Sequence, residues 1–190
     1  GAHRLGQAVT SLGSTLVMKV LSPQPLFAGK LGVYSHRLGN IWLAGGASNS
    51  GGAVLEKYFS APGLERLTAC LQPDRKTGLD YYPLLHPGER FPDPDPGLSP
   101  RLEPRPASDT EFMQGMLEGM ARIECRGYQV LRELGAPYPD SVLTVGGGSR
   151  NQPWTAIRAR ALGVPVTMSS QQEAAYGTAL LARQGSLGSP

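Results

Sequence analysis

Residues 141–182 read SVLTVGGGSRNQPWTAIRARALGVPVTMSSQQEAAYGTALLA, and the fold is decided here. The apolar run Val142 to Val145 goes straight into Gly146, Gly147 and Gly148, followed by Ser149, Arg150 and Asn151. Beyond them Trp154, Ile157, Ala161 and Leu162 recur at helical spacing. A strand that stops in three glycines at the mouth of a helix exposes backbone to a flat or anionic ligand, because no Cβ stands in the way. Gly163 to Val166 reads as a short second strand, and Glu173 to Ala179 opens a helix of small residues suited to close packing. Strand, glycine turn, helix and strand in this order have the geometry of a nucleotide site.

Working outward, Gln7 to Leu21 places β-branched and apolar residues on either side of Gly13-Ser14-Thr15, the pattern of a hairpin. Val33 to Arg37 and Ile41 to Ala44 form a second pair across Leu38-Gly39-Asn40. Gly45 to Gly52 then reads as a Gly/Ser/Asn-rich loop leading into a helix near Ala53 to Phe59, with another short helix at Leu64 to Leu71. Pro83 to Pro106 carries eight prolines in 24 residues, which excludes both helix and central strand. Tyr81, Tyr82, Leu84, Leu85 and Phe91 supply apolar anchors, so the segment is expected to be an ordered excursion packed on the domain. Thr110 to Leu134 repeats apolar residues at helical spacing, from Phe112 and Met116 to Leu131 and Leu134, with Asp109 as its expected N-cap and Gly135 as its stop. Hairpins first and αβαβα later predict an α/β domain, a mixed sheet with flanking helices.

The composition narrows the function classes. A chain of 190 residues, 40% hydrophobic, can bury one good core and is not a disordered tail. Cys70 and Cys125 lie far apart without metal-ligand spacing and read as reduced thiols of an intracellular protein, and no metal site is expected. No run of about 18 apolar residues is present, and Gly1 to Thr10 lacks the apolar core of a signal peptide, so a soluble chain without a membrane partner is expected. A net charge of +3 from scattered cations gives no nucleic-acid footprint. Glu118 and Glu124 fall on different faces of the long helix, which favours structural or surface roles over an acid–base pair. His3, His36 and His86 lie in separate segments and form no triad. The G-x-x-x-x-G-K-[ST] pattern is missing, so any ATP is not held in the P-loop manner.

The run GGGSRNQPWTAIRARALGVPV, with EAAYGTALLA after it, resembles the adenosine motif of the FGGY carbohydrate kinases. Val9 to Leu16, VTSLGSTL, is similar to that family's second phosphate motif, a hairpin that reaches the terminal phosphates of ATP. The resemblance implies that Gly13, Ser14 and Thr15 face the phosphates. It places Gly146, Gly147, Gly148 and Asn151 around the adenosine, with Asn151 bonding a purine or ribose edge and Trp154 left to packing. Gly51 and Gly52 would let the base approach from the adenine side. The stretches AVTSLGSTL, GGASNSGG, DYYPLL, GERFP, LEGMARIE and GYQVLRELGA further resemble the atypical D-ribulose kinases of cyanobacteria and plants.

By that resemblance residues 1–190 form one domain, the C-terminal half of such a kinase, with the ribonuclease H-like fold of actin and hexokinase. The implied reaction moves the γ-phosphoryl group of ATP, with Mg2+, to a small sugar, D-ribulose giving D-ribulose 5-phosphate. The implied partner is an N-terminal kinase domain, a homodimer is compatible with the family, and the implied location is the cytoplasm, or the plastid in a plant. The family's catalytic aspartate is expected upstream of Gly1, since Asp74, Asp80, Asp93, Asp95, Asp109 and Asp140 do not match its position. No catalytic residue is therefore assigned, and half a cleft is expected to be close to inert. The alternatives are a non-catalytic nucleotide-binding or assembly module of the same fold, or a kinase for xylulose, ribitol or glycerol.

Overall fold

Two hairpins build the first part of a six-stranded sheet in the computed structural model, which describes residues 1–187. Strands β1 (Gln7–Leu12) and β2 (Leu16–Ser22) pair antiparallel, with Leu12 opposite Leu16. Strands β3 (Tyr34–Leu38) and β4 (Ile41–Ser48) pair likewise, and β4 joins the free edge of β2. On the other side β5 (Ser141–Val145) runs parallel to β1, and β6 (Val166–Met168) runs parallel to β5, giving the order β3-β4-β2-β1-β5-β6. The sheet is mixed, as expected, and its parallel pairs require helical crossovers.

Strand β4 continues through Gly45 and Gly46 to Ser48, where the sequence suggested a loop. The reason is close packing: a Cβ on Gly45 would stand 1.9 Å from the Met18 carbonyl oxygen, and one on Gly46 would stand 2.7 Å from the Phe91 ring. Helices α1 (Gly52–Tyr58) and α2 (Ala61–Thr68) follow. Helix α3 (Asp109–Glu133) crosses the sheet, and its buried face runs from Phe112 to Leu131. Its N-cap is Ser108 and not Asp109, because the Ser108 hydroxyl is the group that accepts the Glu111 amide N–H, while Asp109 pairs with Arg105 at 2.6 Å. Gly135, with φ of +105°, ends the segment as expected.

Helix α4 (Gln152–Leu162) packs beside α3 and closes at Gly163, whose φ is +70°. That left-handed cap turns the chain, so the second strand begins at Val166 and not at Gly163. Helix α5 (Ala174–Leu187) forms where a helix was expected, but its described side chains, Tyr176, Leu180 and Leu181 among them, are exposed. The close packing anticipated for its small residues is not found.

The proline-rich segment is ordered and held by isolated bridges, Tyr82 to Arg101 and Glu89 to Asp95. Phe91 is 0% exposed and fills the space left by Gly46 and Gly127. Glu89 is also buried and accepts four hydrogen bonds from neutral donors: Ser48 Oγ at 2.6 Å, the Asn49 amide at 2.7 Å, the Arg90 amide at 2.9 Å and Tyr82 Oη at 3.0 Å. The excursion is thereby fastened to the segment that leads from β4 into α1.

Lys19 on β2 is the opposite case. It is 9% exposed, its Nζ has no hydrogen-bond partner, and the ammonium sits 3.7 Å from the centroid of the Tyr34 ring. Burial lowers its pKa from 10.5 to about 8. Folding thus carries a cost that is complete below pH 8 and is relieved as the pH rises toward 10.5, where the unfolded chain also loses the proton. Lys19→Met is expected to stabilise the fold by roughly 1–3 kcal/mol at pH 7. Urea unfolding of both proteins at pH 7 and pH 10 should find the gain shrinking with pH; a gain of constant size would show that charge burial is not its source.

Candidate functional site

Because β1 and β5 are parallel neighbours with Thr10 opposite Thr144, they end side by side. The β1–β2 turn and the 3-10 turn Gly147–Arg150 therefore emerge at the same edge of the sheet. Between these turns and helices α1 and α2 opens a cleft of about 690 Å³. The hairpin contributes Leu12, Gly13 and Ser14, α1 contributes Gly52, Leu55 and Glu56, and α2 contributes Leu64, Glu65 and Thr68. Gly147, Gly148, Arg150, Asn151 and Trp154 complete the lining with Met113 of α3.

The three glycines after β5 do different work. Gly146 makes the turn: its φ is +88°, and a Cβ there would lie 2.7 Å from the Leu12 carbonyl oxygen. Gly148 permits packing, since a Cβ would lie 2.6 Å from Trp154 Cζ3 and 2.8 Å from Leu12 Cβ. Only Gly147 faces open space, with no heavy atom within 4 Å of its Cβ position. Gly146 stays outside the lining while Gly147 and Gly148 belong to it.

Gly51 and Gly52 are required as glycine by the packing of the hairpin turn against the start of α1. A Cβ on Gly51 would come within 2.6 Å of both the Ser14 carbonyl oxygen and Thr15 Cα, and one on Gly52 within 2.8 Å of the Gly13 carbonyl oxygen. Gly51 is buried and outside the lining. The Gly52 amide donates to the Gly13 carbonyl at 2.8 Å and the Ala53 amide to that of Ser14 at 3.3 Å, so the start of α1 is stitched to the hairpin turn. The glycines hold that turn in place, and the Ser14 side chain is left exposed in the cleft while Thr15 lies beside it, outside the lining.

Asn151 lines the cleft, but both ends of its amide are engaged. Its Oδ1 caps α4 by accepting the Trp154 amide at 2.9 Å, and its Nδ2 donates to Thr68 Oγ1 at 3.2 Å. These two bonds tie α4 to α2, and the second N–H and second lone pair of the amide stay available to a purine or ribose edge. Trp154 packs as expected, and its buried Nε1–H has no partner. Glu118 and Glu124 are structural, as expected, but neither is on the surface: Glu118 accepts from Thr77 and Gln114, and Glu124 meets Arg158. Sequence reading missed Glu56, Glu65, Thr68 and Met113. Arg150 stood inside the quoted motif; the short helix α2 carried no signal beyond ordinary amphipathicity.

Among the described residues no helix is long and apolar enough to cross a membrane. The family model for the C-terminal domain of the FGGY family of carbohydrate kinases matches residues 8–184. L-fuculokinase of Escherichia coli K12 is 36% identical over 70 residues, 37% of this chain and 15% of that protein. The crystal structure of a xylulose kinase from Brucella ovis superposes with a TM-score of 0.85 at 28% identity, covering 98% of this chain and 40% of that one. Glycerol kinase from Plasmodium falciparum, solved with ADP, shares the fold at a TM-score of 0.70 and 14% identity, again over 98% and 40% of the two chains. The chain thus spans less than half the length of the relatives it matches. These kinases have the actin and hexokinase type of ATPase fold, and with its mixed sheet and its match over residues 8–184 this chain belongs to the FGGY family of carbohydrate kinases, as their C-terminal domain.

Proposed function

We propose that the cleft binds ATP, with the adenosine against Gly147 and Gly148 and the phosphates toward Gly13, Ser14 and Thr15. In this reading the chain is the nucleotide-binding half of a kinase that phosphorylates a ketopentose, D-ribulose to D-ribulose 5-phosphate. The observation that carries it is the open space at Gly147, in a cleft of about 690 Å³ that the hairpin turn also lines. Ser14 offers a hydroxyl that can donate to a phosphate oxygen, and the glycine backbone lets a flat base approach.

Phosphoryl transfer is catalysed by in-line positioning and by stabilising spread negative charge, with little covalent chemistry from the protein. This wall of the cleft supplies the positioning of the nucleotide. Mg2+ accompanies the phosphates in this reading and would neutralise part of their charge. The ribulose assignment is supported by the stretches at residues 8–16, 45–52, 80–85, 88–92, 117–124 and 127–136 that resemble D-ribulose kinases.

Calorimetric titration of the 190-residue chain with ATP, ADP and adenosine in Mg2+ is expected to give one site, weakened more for ATP than for adenosine by Ser14→Ala. Absence of binding at millimolar nucleotide would overturn the cleft assignment. A kinase carrying this domain, offered D-ribulose, D-xylulose, ribitol and glycerol, is expected to show its highest kcat/KM with D-ribulose; a higher value for any other would overturn the substrate.

A further inference from the structure

Glu124 of α3 and Arg158 of α4 form an ion pair whose side chains are 1% and 0% exposed. Arg158 Nε and Nη2 donate to the two oxygens of Glu124 at 2.6 and 2.7 Å, and its Nη1 donates to Thr144 Oγ1 of β5 at 2.7 Å. Thr10 Oγ1 of β1 donates to Glu124, which leaves Tyr128 Oη to donate to Thr10 at 2.8 Å. Each nitrogen and oxygen of these side chains has at least one partner.

Its placement is informative. Thr10 and Thr144 are register partners, and they stand just ahead of the two turns that lie side by side at the cleft. Arg158 follows Trp154 by one turn of α4, the helix capped by Asn151. A buried ion pair contributes little net stability compared with an apolar pair of the same volume. What it adds is direction, because the guanidinium is a planar fork with fixed donor angles. Backbone ladders already hold β1 against β5, but they do not fix the tilt of α3 and α4 against the strand ends.

We propose that the Glu124–Arg158 pair is a positioning device for the cleft. It clamps the ends of β1 and β5 to α3 and α4 and so sets the spacing between the Gly13–Thr15 turn and the wall carrying Gly147 and Trp154. As a statement about nucleotide binding it rests on the reading of the cleft given above. Neither residue lines the cleft, so both act through the turns.

The test compares the 190-residue chain with Arg158→Lys and with the apolar double variant Glu124→Leu/Arg158→Met, using ADP titration, thermal unfolding and amide hydrogen exchange. Lysine keeps the charge but cannot bridge Thr144 and both Glu124 oxygens. The double variant removes both charges together and avoids stranding one. Both variants are expected to stay folded, to exchange faster at residues 12–15 and 146–151 together, and to bind ADP about tenfold more weakly, the scale of a small misplacement. Should either folded variant keep wild-type ADP affinity and wild-type exchange in both turns, the pair is merely structural and the proposal falls. If wild-type chain binds no ADP, the nucleotide reading fails; exchange then decides the clamp alone, faster exchange in both turns supporting it and unchanged exchange refuting it.

Discussion

Phe91→Ala is expected to destabilise the domain by about 3–5 kcal/mol, the cost of emptying a fully enclosed aromatic site. The ring is 0% exposed and is the largest fully buried side chain of residues 83–106. Two glycines make room for it: a Cβ on Gly46 of β4 would lie 2.7 Å from the ring, and one on Gly127 of α3 would lie 2.8 Å from its Cε1. With no Cβ on either side, the walls cannot close on an alanine, and the cavity persists. Urea denaturation should register the loss, and the melting temperature should fall by roughly 10 °C. Protease cleavage within residues 83–106 should accelerate as well, because Glu89, two residues away, is another buried anchor of the segment. A loss below about 1 kcal/mol would mean that the excursion only lies on the surface.

That coupling also marks where the sequence stops being legible. The hairpins and α3 were readable because their signals are local: alternation around Gly13-Ser14-Thr15, and apolar residues at helical spacing from Phe112 to Leu134. Phe91 was readable as an anchor for the same reason. Its receptor was not, since Gly46 and Gly127 become a socket only after β4 and α3 have packed. The same holds for Gly45, whose loop-like neighbourhood is a strand pressed against the Met18 carbonyl. Glu89 and Arg158 look like ordinary solvated charges in sequence, and their partners, Ser48 and Glu124, lie 41 and 34 residues away. Within the cleft, the glycine triple supplies two of the lining residues, Gly147 and Gly148, but glycine as a residue type cannot say whether the missing Cβ makes room for a turn, a ring or a ligand. The engagement of the Asn151 amide was hidden because its second partner, Thr68, lies 83 residues away on a short helix to which the sequence assigned no role.

Gly147→Val is expected to weaken ATP binding by at least about tenfold, a change of roughly 1.4 kcal/mol, while leaving stability within about 1 kcal/mol of wild type. The separation follows from the backbone. Gly147 is absent from the positive-φ glycines, it begins a 3-10 turn, and its Cβ position has no heavy atom within 4 Å. The β-branched side chain therefore meets no protein atom at its Cβ and occupies the space assigned to the nucleotide. Its neighbours are the controls. Gly146→Val combines a φ of +88° with a 2.7 Å approach to the Leu12 carbonyl, and Gly148→Val drives into Trp154, so both should lower the melting temperature first. Calorimetric titration with ATP beside thermal unfolding for all three variants separates the roles. A Gly147→Val protein that is fully folded and binds ATP with wild-type affinity would remove Gly147 from the nucleotide site, and with it the open space on which the cleft's assignment rests.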